Sequence, residues 1–173
     1  MTYSWHLIPL HNQGSFLDAS PLQDLIEKND VLEALFITRS KYWPGTSVDE
    51  STPVLENEFA SKLFQSLQRN QRMKSFRLET VSKLSQATKE QAWEAVKCNR
   101  SLMRLHSNFA EPDIHLEMLL SFNQFHWMKR WTNLNATPSK RVQVVREILD
   151  TDTKQATSTL YYLFRSFPEA INA

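Results

Sequence analysis

The stretch RNQRMKSFRLETVSKL, residues 69–84, holds five cations and a single acid in a chain of 173 residues whose formal net charge is only +1. Its reading decides the architecture, and the use of its charge bears on function. Only two glycines occur in the whole chain, and tight hairpins usually need glycine at positive-φ turn positions. The scarcity predicts few turns and long helices. Residues 75–86 are accordingly expected to form one helix of an all-α protein.

Cap-type residues followed by proline mark helix starts at Ser20-Pro21, Thr52-Pro53 and Thr137-Pro138, because proline suits the first helical position. Glu111-Pro112 opens another, and Thr88-Lys-Glu-Gln91 has capping-box spacing. These marks predict helices over residues 20–29, 31–39, 53–70, 75–86, 89–107, 112–132, 138–149 and 153–167. The expected fold is thus a single domain over residues 1–173, an irregular bundle of about seven to eight helices, with a mobile loop at 42–53 around a Pro-Gly turn signal. No internal repeat of solenoid period is read from the sequence.

A hydrophobic fraction of 41% and a charged fraction of 23% are globular values, which argues against wholesale disorder. The lone cysteine, Cys98, rules out an internal disulfide and fits a reducing compartment, so a cytoplasmic setting is expected. The first residues, MTYSWHLIPLHNQ, lack the basic and apolar regions of a secretory signal. The longest fairly apolar uncharged run, about residues 118–128, falls well short of the roughly 20 residues a membrane span requires, so no membrane partner is expected.

Charge is unevenly distributed. Residues 1–61 carry three basic and nine acidic side chains, residues 62–104 ten and three, and residues 105–173 seven of each. On a helical wheel over 89–107, Ala92, Ala95, Val96, Cys98, Leu102, Met103 and Leu105 gather on a core face. Lys89, Trp93, Lys97, Arg100 and Arg104 form an opposite stripe roughly 22 Å long. Cations neutralise phosphates and an exposed indole offers a stacking face, so this stripe, widened by Arg69, Arg72, Lys74 and Arg77, is the candidate nucleic-acid-binding surface. The competing reading is a solvated face, or one neutralised by the acidic first third.

Other constellations carry less. His115 and His126 lie three turns apart, roughly 16 Å, too far to share a metal, and Glu111 with His115 lacks the second motif of a di-iron bundle. The wheel turns Cys98 toward the core, where a thiol serves packing. No phosphate loop, HExxH, GxSxG or kinase motif occurs. The aromatics Phe122, Phe125, Trp127 and Trp131 have core spacing, with Lys129 and Arg130 beside them. Residues 138–167 suggest a helix-turn-helix, with Thr153, Lys154, Gln155, Ser158 and Tyr162 facing a groove, though the turn lacks glycine.

The expectation is therefore a non-enzymatic helical binding protein with no catalytic residues, metal or cofactor. It would contact nucleic acid through its basic centre, within a larger assembly. The alternatives are a protein–protein adaptor using its acidic N-terminal and basic central surfaces, a homo-oligomer among them, and a helix-turn-helix regulator.

Overall fold

The computed structural model describes residues 18–38, 50–109, 113–125, 131, 138–151 and 153–166. Among these, six helices and three strands are bounded: α1 (Ser20–Lys28), β1 (Ala34–Thr38), α2 (Thr52–Arg69), β2 (Ser75–Glu79), α3 (Gln86–Cys98), β3 (Arg104–Ser107), α4 (Ile114–Gln124), α5 (Pro138–Thr151) and α6 (Thr153–Ser166). The all-α expectation is overturned. β1, β2 and β3 form a parallel sheet in sequence order, with Leu35, Phe76 and Leu105 in register across it, followed by Ile37, Leu78 and Ser107.

The strands begin where asparagines end the helices. Asn29, Asn70 and Asn99 each take an extended conformation at the helix C-cap. In each, the side-chain oxygen then accepts the backbone N–H groups two and three residues on: Val31 and Leu32 at 2.9 and 2.7 Å, Arg72 and Met73 at 2.8 and 2.7 Å, Ser101 and Leu102 at 3.0 and 3.1 Å. Asparagine side chains make such local turns without glycine. The low glycine count therefore excludes hairpins but not parallel strands, which are joined through helices.

After each asparagine the inward residues fall at the same offsets: Leu32, Leu35 and Ile37; Met73, Phe76 and Leu78; Leu102, Leu105 and Ser107. The same spacing, with one strand and one helix per unit, recurs three times, so the units stack as β/α repeats. An internal repeat is thus present. Its units differ in length, 41 residues between Asn29 and Asn70 and 29 between Asn70 and Asn99, so no fixed period betrays it. The expected helices over 31–39 and 75–86 are strands, and that over 89–107 stops at Cys98 because Asn99 turns the chain into β3.

Units are stitched by the same residue type. The Asn70 amide donates to the Ile26 carbonyl at 2.6 Å and to that of Asn29 at 3.4 Å. The Asn123 amide donates to the carbonyls of Val96, Asn99 and Leu102. Between the second and third units the link is made instead by Gln71, which donates to the Cys98 carbonyl, and by the Ser101 hydroxyl, which donates to that of Gln71. Buried backbone carbonyls at helix ends need such donors.

Helices pack in a row, α2 between α1 and α3, and α3 against α4, over one face of the sheet. Their apolar faces meet the inward strand residues in a core of Leu63, Phe64, Leu67, Phe76, Leu78, Ala92, Ala95 and Val96. Glu56, fully buried on α2, accepts the N–H groups of Val81 and Ser82 at 3.0 and 2.7 Å and so fixes the chain leaving β2. The paired helices α5 and α6 close the C-terminal end, α6 touching α4. Cys98, expected in the core, is exposed at the last position of α3. No helix among the described residues is long and apolar enough to cross a membrane. The expected loop at 42–53 falls largely outside the described residues.

Candidate binding surface

Helices cover one face of the sheet, so the other is set by strand alternation. Outward residues of the three strands form rows: Ala34, Ser75 and Arg104, then Phe36, Arg77 and His106. Phe36 is half-buried, and Arg77, Arg104 and His106 are exposed. This face continues into an open groove of about 510 Å³ whose floor includes Ser75, Arg77, Arg104 and His106, and whose far wall is α4 with Glu117 and Leu120.

The basic residues singled out in the sequence divide into three groups. Arg69, Lys74, Arg77, Lys89 and Lys97 are ion-paired with carboxylates of the chain: Glu27 at 3.1 Å, Glu33 at 2.6 Å, Glu79, Asp113 at 3.3 Å and Glu94 at 3.1 Å respectively. Arg72 and Arg100 stand exposed in the asparagine turns ahead of β2 and β3, and Arg104 on β3 itself. None of these last three forms a side-chain ion pair among the described residues. Trp93 stands apart, its indole N–H donating to the Asp113 carboxylate at 2.8 Å.

The helical-wheel stripe is therefore cut. Its first half, Lys89 and Trp93, faces α4, where Lys89 retains only 12% and Asp113 only 8% of their side-chain exposure. Its second half, Arg100 and Arg104, belongs to a turn and a strand. The strand face sets Arg104 diagonally from Arg77, in the adjacent row, and lines Arg77 up with Phe36 and His106, which sequence reasoning missed. The available signal was the alternation Phe76-Arg77-Leu78, of period two, beside the short apolar run Ala34-Leu35-Phe36-Ile37.

Local electrostatics hold this face in place. The Arg77 guanidinium bonded to Glu79 keeps that carboxyl below its usual range, with Thr38 adding a hydrogen bond. Lys74 does the same for Glu33. His106 adds its ring nitrogen 3.9 Å from Glu79. These pairs are solvent-exposed and worth little to stability individually, but they set a face of alternating sign.

No family model matches this chain, and no curated protein matches it. Function has to be read from the surface itself.

Behind α3 the packing is structural. Asp113 caps α4 by accepting the Leu116 N–H at 3.0 Å. Burial raises its pKa, but the bonds from Leu116, Trp93 and Lys89 outweigh that and leave it lowered. His115 lies between the Trp93 ring at 4.9 Å and the Tyr162 ring at 5.2 Å, joining α3, α4 and α6. Tyr162, placed by the helix-turn-helix reading in a groove, is thus engaged within the fold, and the side chains of 153–155 lie outside the described residues. His126, Trp127, Lys129 and Arg130 also fall outside them. Trp131 is buried against Phe164 at 5.5 Å.

Burial lowers the His115 pKa, Asp113 and Glu94 opposing and Lys97 and Arg165 assisting. A lowered folded-state pKa means that the unfolded chain binds the proton first, so the contribution is complete above about pH 6.5 and is lost as pH falls through the folded value. Unfolding free energy, measured by urea titration, is expected to drop between pH 7 and pH 5. In His115→Phe, which keeps the ring stack, the drop should shrink; an unchanged pH dependence would refute the role.

Proposed function

We propose that this chain is a non-enzymatic interaction module that holds a partner protein against the outer face of its parallel sheet. The observation that carries the reading is that, among the described residues, no helix packs over the outward row of Phe36, Arg77 and His106, and that this face is mixed. An aromatic ring, two guanidiniums, an imidazole and a carboxylate lie within three rows of one sheet, while helices occupy the opposite face. Stacked β/α units present extended surfaces of this kind, and clustered Arg and aromatic side chains are the residues that anchor protein interfaces.

Five of the nine residues considered for nucleic acid are neutralised within the chain, and Trp93 is bonded to Asp113. A protein partner, which meets both signs of charge, suits that surface better than a polyphosphate. Nucleic-acid contact stands as the second reading because Arg72, Arg100 and Arg104 form no ion pair among the described residues. The single cysteine fits a reducing, cytoplasmic setting.

Site-specific photocrosslinking of the full chain separates the two. A benzophenone side chain at position 36 or 106 is expected to give protein adducts that resist nuclease. At Gln65, exposed on α2, it should give few. Equal adducts at all three positions would overturn the reading, and nuclease-sensitive adducts would favour the second.

A further inference from the structure

Resting on the sheet-face reading, we propose that the groove between the outer face of β2–β3 and α4 takes an extended peptide segment in which a carboxylate is flanked by apolar side chains. Three observations converge on that occupant. Arg104 on the floor carries no ion pair among the described residues, whereas its neighbour Arg77 is held by Glu79. A guanidinium fork left open beside apolar surface suits a carboxylate bound through two parallel N–H···O bonds.

The walls supply the second observation. Phe36 on one side and Met103, Leu105 and Leu120 on the other are half-buried, each leaving apolar area in the groove next to the cation. Side chains flanking the carboxylate in an extended segment would cover it, and burial of apolar area gives about 25 cal/mol per Å². The volume, about 510 Å³, lies within the span of sites that enclose small ligands and short segments.

The third is the sign of the surrounding charge. Glu117 on the α4 wall shares the groove with Arg104, and Glu79, at the end of β2, is held by Arg77. A continuous run of phosphates along the groove would meet Glu117, whereas a single carboxylate can be held at Arg104 alone. Charge complementarity thus selects an isolated acid in apolar context.

The test uses the full chain and two blocked, fluorescently labelled peptides, Leu-Leu-Asp-Leu-Leu and its Asn counterpart, with anisotropy as the readout. The acidic peptide is expected to bind about tenfold more tightly than the neutral one, as one charge-assisted pair would give. Arg104→Gln should abolish that preference while leaving the melting temperature unchanged, since the side chain is exposed. Phe36→Ala should weaken both peptides alike. Equal affinity for the two peptides overturns the carboxylate inference and leaves the sheet-face reading standing, as does absence of binding when crosslinks at 36 and 106 persist. Displacement of the acidic peptide by a uridine oligonucleotide in an Arg104-dependent manner overturns both.

Discussion

Asn70→Ala is expected to lower the unfolding free energy by about 2 to 4 kcal/mol, because it strips three buried or half-buried backbone groups of their partners at once. Its side-chain oxygen satisfies the N–H groups of Arg72 and Met73, and its amide satisfies the Ile26 carbonyl at the end of α1. The residue is 4% exposed, so water does not substitute. With a urea m-value of about 2 kcal/mol/M, the midpoint should fall by about 1 to 2 M. Asn70→Asp keeps the two acceptor bonds but sets a carboxylate against a carbonyl, so its defect should ease as pH is lowered. A midpoint within 0.2 M of wild type for Asn70→Ala, about the error of such a measurement, would show that the turn is held by something else.

Phe64→Ala should cost about 3 to 5 kcal/mol, the range for emptying a fully buried aromatic site. Phe64 on α2 has no exposed surface and meets Phe76 of β2 edge-on at 6.1 Å and Phe109 at 6.3 Å. It fills the space beneath the strand whose outer side carries Arg77, so the same change should loosen the binding face. A fall in melting temperature of about 10 °C or more is expected by calorimetry. A loss below about 1 kcal/mol would mean that the layer collapses around the gap.

The two substitutions mark what misled the sequence reading. Helix starts were legible from proline: Pro21, Pro53 and Pro138 stand in the first turns of α1, α2 and α5, because proline's fixed φ acts locally, while Ser20 and Thr52, expected as caps, lie one residue inside their helices, after Ala19 and Ser51, which make no side-chain cap bond. The strands were not. Each is four or five residues long, carries only two inward side chains, and follows a helix after a five-residue asparagine turn, so its period of two is swamped by the helical periodicity beside it. Phe76 and Leu78 alone do not distinguish a strand from a helix turn.

The asparagines are the clearest lost signal. Asn29, Asn70 and Asn99 each precede a Leu or Met by three residues, and with unit lengths of 41 and 29 their recurrence has no fixed period. Only the hydrogen bonds back to the preceding turn show why the residue recurs. The glycine count pointed to long helices, but it was silent on parallel strands, whose connections need no positive-φ turn.

The candidate surface divides the same way. Composition and position along the chain already located the basic centre, and charge content survives folding unchanged. Which cations face outward, and which are neutralised, depended largely on distant partners, Glu27 for Arg69, Glu33 for Lys74 and Asp113 for Trp93, at separations of 42, 41 and 20, whereas Arg77 and Lys97 pair with nearby Glu79 and Glu94. From the sequence alone came the helix starts, the chain's charge layout and the apolar helix faces, because all three rest on interactions within a turn or two. Tertiary structure alone decided the sheet, the Phe36-Arg77-His106 row and the loss of the Trp93 stripe, because pairing between strands and carboxylate capture act between residues that only the fold brings together.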